Sequence, residues 1–308
     1  MLKYFANRLA IAAIAVFTLA TVTFFLLHLV PGDPLSAPRL TTEVKERLRV
    51  HYGLDRPVLE QYLIYMRNLV QGDFGYSLSS RGRRVNTIIA EGFPASLDLG
   101  LRAMATAIVF GIFFGIVAAL NRGRPLDYLT VILVIVGVSV PSFVLAGVLQ
   151  YWLGVHLKVL PVARYESVWH TIMPSFALAL GTMAIIARYM RTSMLEIVNA
   201  DYIRTARAKG LRNRQIIWRH QLRNALFPVL TILGPTVAAV LTGSFVIESI
   251  FAIPGLGRHF VLAMQNLDYT LVLGLTVFFG VFLIGTNLLV DVAYGFIDPR
   301  IRHSSTAR

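Results

Sequence analysis

The ten residues Asp201-Tyr-Ile-Arg-Thr-Ala-Arg-Ala-Lys-Gly210 form a short basic segment between two long apolar runs. Asp201 has the short acceptor side chain that is typical of a helix N-cap, and its charge suits the positive end of a helix dipole. Gly210 can take the left-handed conformation that ends a helix. The segment therefore predicts a helix of about eight residues, roughly 12 Å long, which needs neighbouring helices or a partner to be stable.

The chain around this segment has the composition of a polytopic membrane protein. Of its 308 residues, 56% are hydrophobic and 15% are charged, and the mean hydropathy is +0.65. Soluble domains carry about 25% charged residues. The net charge of +13 fits the Lys and Arg that short cytoplasmic loops of membrane proteins collect. No aromatic-basic module accompanies this charge, so nucleic acid is not an expected partner.

Six apolar segments have the length of about 20 residues that a membrane-spanning helix needs. They are Leu9–Val30, Leu99–Leu120, Tyr128–Leu153, Thr171–Ala187, Ala225–Ile247 and Thr270–Val290. The first is longer than the core of a signal peptide and no small-residue cleavage site follows it, so we interpret it as a retained helix. The fourth is short and is expected to continue to Tyr189 or Met190. The sequence thus predicts an all-α protein with six transmembrane helices.

Basic residues in the short connections predict the orientation of these helices. Arg122 and Arg124 lie in the connection after segment two. The connection after segment four, from Arg188 to Arg223, contains nine basic and two acidic residues. Arg300, Arg302 and Arg308 follow segment six. The positive-inside rule places all three on the cytoplasmic side. Both termini of this multi-pass protein are then expected to be cytoplasmic.

The connection 31–98 is expected outside the cell, with nine basic and eight acidic residues that nearly balance. Val44, Leu48 and His51 have the spacing of one helix face, which Gly53 ends. A second helical pattern begins at Pro57 and continues to Val70, where Gly72 stops it. We therefore expect a small extracytoplasmic helical subdomain, which serves either as a lid or partner surface or as a structured spacer.

The residues required for catalysis or for binding a cofactor are not present in a recognisable pattern. The chain has no cysteine, none of its seven histidines are spaced i,i+4, and it has neither an H-E-x-x-H nor a Walker A motif. No catalytic, cofactor-binding or metal-binding residue is therefore predicted. The apolar segments are also nearly free of charge: Asp98 and Arg102, one turn apart, are expected to pair, and Glu248 and Asp291 are expected at the membrane interfaces. This argues against a carrier that is driven by ions.

Several short motifs, in this order, resemble the permease subunits of ABC importers, specifically the oligopeptide/dipeptide permease group. They are Val30-Pro-Gly-Asp-Pro34, Tyr52-Gly-Leu-Asp55, Gln71-Gly-Asp-Phe-Gly75, Ser139-Val-Pro-Ser-Phe143, the segment Asp201–Gly210 followed by Arg219-His220 and Leu222-Arg-Asn-Ala225, and Pro254-Gly-Leu-Gly257. ABC permeases carry a cytoplasmic loop with the pattern Glu-Ala-Ala, three residues, Gly, nine residues and Ile-x-Leu-Pro. When the glycine of this pattern is aligned with Gly210, Arg204-Thr205-Ala206 stand in place of Glu-Ala-Ala, and Arg223 stands in place of the final proline. The missing glutamate departs from the general pattern, and this departure is typical of the peptide group.

The resemblance implies a type I ABC importer fold, a location in a bacterial or archaeal cell membrane, and a division of labour between subunits. The chain would form half of a translocation pathway with a second homologous permease, usually as a heteropair. Two cytoplasmic ATPases would bind ATP and Mg, and an extracytoplasmic binding protein would deliver peptides. The coupling helix to the ATPase would comprise Asp201, Tyr202, Ile203, Arg204, Thr205, Ala206, Arg207, Ala208, Lys209 and Gly210. Ile203, Ala206 and Tyr202 would seat in a groove of the ATPase, and Arg204, Arg207 and Lys209 would pair with acidic groups.

On this basis we divide the chain into four parts. They are the first transmembrane helix 1–30, the extracytoplasmic subdomain 31–98, the transmembrane core 99–295 with a coupling loop 193–224, and a cytoplasmic tail 296–308. Ser139, Ser142 and Gln150 in the third segment are hypothesised to line the pathway, although polar residues that pack helices together have the same appearance. Alternatives with the same architecture are importers of nickel complexes, glutathione or oligosaccharides. A stand-alone peptide carrier and a membrane enzyme fit the residues less well.

Overall fold

The computed structural model describes residues 2–31, 42–51, 53–80, 82–241 and 245–297, and over these ranges the chain is helical apart from connections and one isolated β-bridge. Numbered along the chain, the helices are α1 (Leu2–Leu29), α2 (Thr42–His51), α3 (Val58–Val70), α4 (Val85–Leu120), α5 (Pro125–Ser139), α6 (Ser142–Leu149), α7 (Val168–Ile197), α8 (Asp201–Ala208), α9 (Asn213–Ile216), α10 (Leu222–Leu241), α11 (Phe245–Ile250), α12 (Leu256–Gln265) and α13 (Tyr269–Ile297). Short π-helical stretches follow α6 (Gln150–His156) and α9 (Ile217–Gln221).

Five helical stretches of the described residues are long and apolar enough to cross a membrane, and the pair α5 and α6 makes a sixth if it is counted as one span. These stretches correspond to the six predicted segments, so the all-α fold with six transmembrane helices is confirmed. The helices extend further than hydropathy indicates. α7 runs on to Ile197, and α4 begins at Val85, because contacts with other helices continue to stabilise a helix where its apolar run has ended.

The third predicted segment is not one continuous helix. α5 and α6 meet at an angle of 108°, with Val140 in an extended conformation and Pro141 at the start of α6. Proline has no N–H to donate and clashes with a helical conformation of the residue before it. Pro141 therefore separates two helices where the apolar run Tyr128–Leu153 predicts one.

By contacts within the chain, the protein divides into two compact units, Met1–Ser96 with Pro254–Gly285 and Leu97–Ile253 with Thr286–Arg308. In the first unit, a core of buried side chains joins α1, the beginning of α4, α12 and α13; it includes Phe24, Ile88, Leu256 and Leu275. This unit also contains α2 and α3, which end before Gly53 (φ +66°) and Gly72 (φ +73°). The two helices predicted in the connection 31–98, and their glycine ends, are thus confirmed.

A clamp around Asp268 holds the connection between α3 and α4 in the first unit. The Asp268 carboxylate is fully buried. It accepts hydrogen bonds from the Ser77 hydroxyl at 2.5 Å, the Ser79 hydroxyl at 2.7 Å and the backbone N–H of Leu78 at 3.0 Å. These donors compensate the cost of burying the charge, so the clamp is structural.

In the second unit, the main core lies between α4, α7 and α10. Its buried members include Met104, Met183, Met190 and Val229. Gly115 of α4 allows a close approach to α7, because a Cβ added there would lie 2.5 Å from the Met190 Cβ and 2.7 Å from the carbonyl oxygen of Ala187. This packing positions the end of α7, from which α8 follows.

Several predicted features lie wholly or partly outside the described residues. They are residues 32–34 of the motif Val30–Pro34, Tyr52, and residues 298–308 of the predicted tail. The side chains of Val44, Leu48 and Asp291 are also outside the description, although their backbones are helical.

Candidate functional site

The candidate site is the connection from the end of α7 to the beginning of α10, which contains α8. The structure places the start of α8 one residue earlier than the capping prediction, because Ala200 has the extended N-cap conformation and Asp201 is the first helical residue. The Asp201 side chain is 97% exposed and approaches Arg204 Nη1 at 3.4 Å. The expectation that Asp201 caps the helix is therefore wrong. Its carboxylate is still placed favourably in the first turn, next to the positive end of the helix dipole.

The end of α8 is as the sequence predicts. Gly210 has φ +76°, and two backbone bonds close the turn: Gly210 N–H donates to Arg207 O at 2.9 Å, and Leu211 N–H donates to Ala206 O at 3.3 Å. This is the Schellman arrangement, in which the left-handed residue follows the last helical turn. No atom lies within 4 Å of a Cβ added at Gly210. The glycine is thus required by its backbone conformation, not by lack of space.

One face of α8 packs against its own chain. Ile203 is fully buried and Ala206 is 6% exposed, and both contact Ile216 of α9 in a small cluster with Ile197 at the end of α7. The expectation that Ile203 and Ala206 seat in a groove of a partner is therefore wrong. These two residues attach α8 to α7 and α9.

The opposite face of α8 is open. Its exposed residues are Asp201, Tyr202, Arg204, Thr205, Arg207 and Ala208, followed by Lys209. Tyr202 is 43% exposed, and its hydroxyl accepts a hydrogen bond from Asn224 Nδ2 of α10 at 3.2 Å. The open face therefore presents one aromatic ring and three cations, of which Arg204 lies near Asp201, on a helix whose other side is anchored in the chain.

An ion pair that sequence reasoning missed connects α7 to α5. Arg191 Nε lies 2.6 Å from Asp127 Oδ1, and Arg191 Nη2 lies 2.9 Å from Asp127 Oδ2. The Asp127 carboxylate also accepts the N–H of Gly123 at 2.9 Å, and its side chain is only 6% exposed. A bidentate geometry of this kind is the strongest form of Arg–carboxylate contact. The only signal in the sequence is two opposite charges near the ends of apolar segments; Arg191 enters the sequence analysis as one of the nine basic residues from Arg188 to Arg223, and Asp127 does not enter it.

A second contact between α5 and α7 lies further along both helices. A Cβ added to Gly137 would lie 2.7 Å from Ala184 Cβ and 3.0 Å from Leu180 O. Position 137 follows 127 along α5, whereas 184 precedes 191 along α7, so the two helices are antiparallel and touch at two levels. α5 and α7 thus form a closely packed pair, with α8 following α7 at one end and the α5–α6 bend at the other.

The three residues hypothesised to line a pathway lie at or near the bend. Ser139 is the last residue of α5 and is exposed, and Ser142 is the first residue of α6 and is half-buried. Gln150 Nε2 donates to Val162 O at 2.9 Å and to Ile250 O at 3.2 Å. Its amide thus binds the chain's own backbone, and Ser139 is the most accessible of the three residues.

The predicted pair of Asp98 and Arg102 is confirmed, with Arg102 Nε 2.7 Å from Asp98 Oδ2. The hydroxyl of Tyr165 also donates to Asp98, a partner that could not be inferred from the sequence. Glu248 is fully buried in the protein, and its expected position at a membrane interface stays a prediction. Among the His, Asp and Glu residues of the described ranges, no group of three is arranged to hold a metal ion.

The chain is similar to two family models, to curated relatives and to a solved structure. The model described as binding-protein-dependent transport system inner membrane component matches residues 111–303, and the model of the N-terminal part of such membrane components matches residues 1–100. The chain is 45% identical to the dipeptide transport system permease protein DppB of Bacillus subtilis, over 98% of both chains. It is 42% identical to the oligopeptide transport system permease protein OppB of Haemophilus influenzae, over 98% of this chain and 100% of that one.

The fold resembles that in a crystal structure of an amino acid ABC transporter with histidines. The TM-score is 0.55 at 16% sequence identity, over 67% of this chain and 92% of that one. At this identity the likeness concerns the fold alone. It agrees with the type I permease architecture expected from the sequence.

Proposed function

The chain belongs to the family of binding-protein-dependent transport system inner membrane components, and from this premise we propose that it is the permease subunit of an ATP-driven importer of peptides. The observation that carries the proposal is the identity of 45% over 98% of the chain with a dipeptide permease protein. Because the similarity extends over the full length and not over one motif, the chain shares its membrane helices and their connections with this relative. Relatives named for oligopeptide transport are similar over the same length.

Peptides are favoured over the other cargoes of similar permeases. The relatives reported above are named for dipeptide or oligopeptide transport, and these names do not favour nickel complexes, glutathione or oligosaccharides. A stand-alone carrier would need an energy source within this chain. The ionisable pairs that the structure describes near its membrane segments, Asp98–Arg102 and Asp127–Arg191, are closed ion pairs, which does not suit a proton or sodium relay.

In this proposal α8 is the element that contacts an ATPase subunit. The contact uses the open face of Tyr202, Arg204, Arg207 and Lys209, and acidic groups in a cleft of the ATPase would pair with the three cations. Ile203 and Ala206 do not touch the ATPase; their burial against Ile216 makes α8 and the end of α7 move together. Asp201, Thr205, Ala208 and Gly210 complete the helix and its end.

The antiparallel pair of α5 and α7 would carry this movement into the membrane. A push on α8 reaches α7 through the cluster around Ile203 and Ile197. It reaches α5 through the Asp127–Arg191 ion pair and the close contact at Gly137. The far end of α5 is the bend at Pro141, next to Ser139 and Ser142. We infer that closure of the ATPases alters this bend and thereby the access to the pathway.

An ATPase and a solute-binding protein are implied by the family; we propose two ATPase copies, a second homologous permease, and ATP with Mg bound by the ATPases and not by this non-catalytic chain. The protein lies in the inner membrane as a multi-pass component, and we propose that both termini face the cytoplasm. The division into 1–30, 31–98, 99–295 with the coupling loop 193–224, and 296–308 is retained as part of the proposal.

Reconstitution into vesicles tests this function. The chain, with its partner permease, ATPases and binding protein, should take up a labelled dipeptide only when ATP is present on the ATPase side. Uptake should continue when an uncoupler removes the ion gradient, because the energy comes from ATP. A matched preparation without the binding protein should show little uptake. Transport by this chain alone, or transport that stops with the uncoupler while ATP is present, would contradict the proposal.

A further inference from the structure

Helix α3 packs against the side of α1 in the first unit. The Tyr62 hydroxyl lies 2.8 Å from Thr21 Oγ1, and Gln61 Oε1 lies 3.3 Å from His28 Nε2. The ring of Phe24 meets the Tyr62 ring edge-on, with the two centroids 5.5 Å apart. These contacts fix α3 beside the last turns of α1.

The last turns of α1 belong to a membrane span, which by length and hydropathy is Asn7–Leu29. Phe24 lies five residues before the end of this span, which is about 7.5 Å along a helix. A second span, Tyr269–Val290, begins at the same level, since the Tyr269 hydroxyl lies 3.5 Å from Val30 O. α3 thus lies at the depth of the terminal turns of two spans. Helices that lie in a membrane surface are buried to about 5–10 Å.

One side of α3 carries an exposed apolar stripe. It consists of Leu59, Leu63, Met66 and Val70, whose spacing of four, three and four residues places them on one helix face. Leu59, Leu63 and Val70 are 64%, 60% and 85% exposed, and Met66 is half-buried. The described part of the chain therefore leaves this stripe uncovered.

Polar residues occupy the rest of the circumference of α3 that does not face α1. Glu60 and Arg67 form an exposed charged line next to the stripe, and Glu60 pairs with Arg56 at 2.8 Å. On the side opposite the stripe, Gln61 and Asn68 line a cavity of about 360 Å³. Around its axis α3 thus faces α1, then presents the apolar stripe, the charged line and the polar cavity.

This order of faces matches a helix that lies in the plane of a membrane surface. The apolar stripe would meet acyl chains, the charged line would meet headgroups, and the cavity would meet water. The long side chain of Arg67 can extend to a phosphate while its stem stays on apolar surface. Water on the stripe would hydrate three large apolar side chains, which the hydrophobic effect opposes. A protein partner would meet the charged line beside the stripe, whereas charged residues are depleted in the core of protein interfaces.

We propose that α3 is an in-plane membrane helix whose apolar stripe is buried in the acyl chains of the leaflet at the end of α1. With both termini in the cytoplasm, as proposed above, this is the outer leaflet. The connection 31–98 is then anchored in the membrane through α3. This assignment goes beyond the proposed function, because the import of peptides does not by itself require it.

Spin-label accessibility tests the position of α3, and a chain without cysteine accepts single labels. Leu63→Cys and Arg67→Cys, one turn apart and both exposed, each receive a nitroxide in the full-length chain, assembled with its partner subunits in lipid nanodiscs. Collision rates are measured with oxygen, which dissolves in hydrocarbon, and with a neutral nickel chelate, which stays in water. The label at Leu63 should collide several-fold more often with oxygen than with the chelate, and the label at Arg67 should show the reverse. Asp55→Cys, exposed in the turn before α3, is the control for free access to water.

Photocrosslinking of the unmodified chain supplies a second test. The nanodiscs contain phosphatidylethanolamine with a diazirine on one acyl chain, and the illuminated protein is digested with trypsin. Trypsin releases the peptide Val50–Arg67, because the bond between Arg56 and Pro57 resists cleavage. Adducts in this peptide should fall at Leu59 or Leu63. Adducts on α1 with none in Val50–Arg67 would contradict the assignment.

Three outcomes of the spin-label measurement would overturn the proposal. A label at Leu63 that collides mainly with the nickel chelate would place the stripe in water. A label there that collides with neither reagent would show that the second permease or the binding protein covers the stripe. Equal profiles at Leu63 and Arg67 would show that α3 does not lie at a boundary between lipid and water. None of these results depends on the solute or on ATP, so this assignment and the proposed function can fail separately.

Discussion

Gly210 is the residue on which the end of α8 depends. Its φ of +76° is disfavoured for residues with a Cβ, most strongly for β-branched ones. A residue with a Cβ at this position would strain the backbone of the connection between α8 and α9. At the scale of single residues, therefore, a change of backbone preference can affect coupling without removing any side-chain contact.

Gly210→Val should uncouple ATP hydrolysis from peptide uptake. We expect a cost of about 1–3 kcal/mol at the helix end, with the protein still inserted in the membrane and the number of peptides imported per ATP reduced several-fold. Gly210→Asn is the matched control, because asparagine adopts the left-handed conformation more readily. Normal coupling in the valine variant, measured in vesicles, would show that the helix end has no such role.

His259 in α12 predicts a dependence of stability on pH. Burial, with repulsion from Arg83 and Arg258, lowers the pKa of His259 below its ordinary value of 6.5, and Glu91 opposes the shift only partly. The group therefore contributes stability above pH 6.5, which is lost as the pH falls, because the unfolded histidine binds a proton more readily than the folded one.

His259→Gln should make the melting temperature less sensitive to acid between about pH 7 and pH 5. Arg258→Gln should have the same effect in part, since it removes one cause of the shift. If the wild type and His259→Gln lose the same number of degrees over this range, the titration of His259 does not contribute to stability.

At the scale of helices, the buried ion pair and the glycine contacts decide how α7 sits against its neighbours. Asp127 and Arg191 join α5 to α7, and Gly115 joins α4 to α7. Each contact depends on a small or charged residue that a hydropathy pattern treats only as an interruption. Helix packing in membranes commonly relies on such residues, because lipid is as apolar as leucine.

Removal of one partner of the ion pair should destabilise the pair of helices. Arg191→Leu removes the bidentate partner of Asp127 and leaves the carboxylate only the Gly123 N–H and the charge of Arg122, which should cost about 1.5–3 kcal/mol. Asp127→Asn combined with Arg191→Gln keeps groups that can hydrogen-bond without charge, and should recover most of the melting temperature. If the single and double variants melt alike, the ion pair does not hold α5 to α7.

Gly115→Ala should lower the melting temperature, because its Cβ would lie 2.5 Å from Met190 Cβ and α7 would have to move; overpacking of this kind costs about 1–3 kcal/mol. Gly147→Ala in α6 is the control, since nothing lies within 4 Å of its added Cβ. There alanine should be neutral or stabilising by up to about 1 kcal/mol. Equal effects of the two substitutions would contradict the close packing of α4 on α7.

At the scale of the whole molecule, the orientation in the membrane can be measured directly because the chain has no cysteine. Gln71 and Arg124 are both exposed. A single cysteine at Gln71 should react with an impermeant maleimide from outside the cell, whereas one at Arg124 should react only after the membrane is opened. Labelling of both from the same side would contradict the positive-inside assignment.

The sequence alone was sufficient for the class of fold and for most of the helices. Apolar runs of sufficient length require helices in a membrane, because every backbone polar group must be satisfied within its own segment. Local signals of the same kind predicted the ends of α3 and α8, where a glycine takes a positive φ. The coincidence of several motifs with this pattern indicated the permease group, which the full-length relatives confirm.

The tertiary structure decided which side of each element is available. The family resemblance implied that Ile203, Ala206 and Tyr202 contact a partner, and the fold packs the first two with Ile216. The fold also brings Arg191 into an ion pair with Asp127. It directs the Gln150 amide to donate hydrogen bonds to the carbonyl oxygens of Val162 and Ile250. The physical reason is that hydropathy and helix caps depend on neighbours along the chain, whereas burial and ion pairing depend on residues that are distant in sequence and meet only after folding.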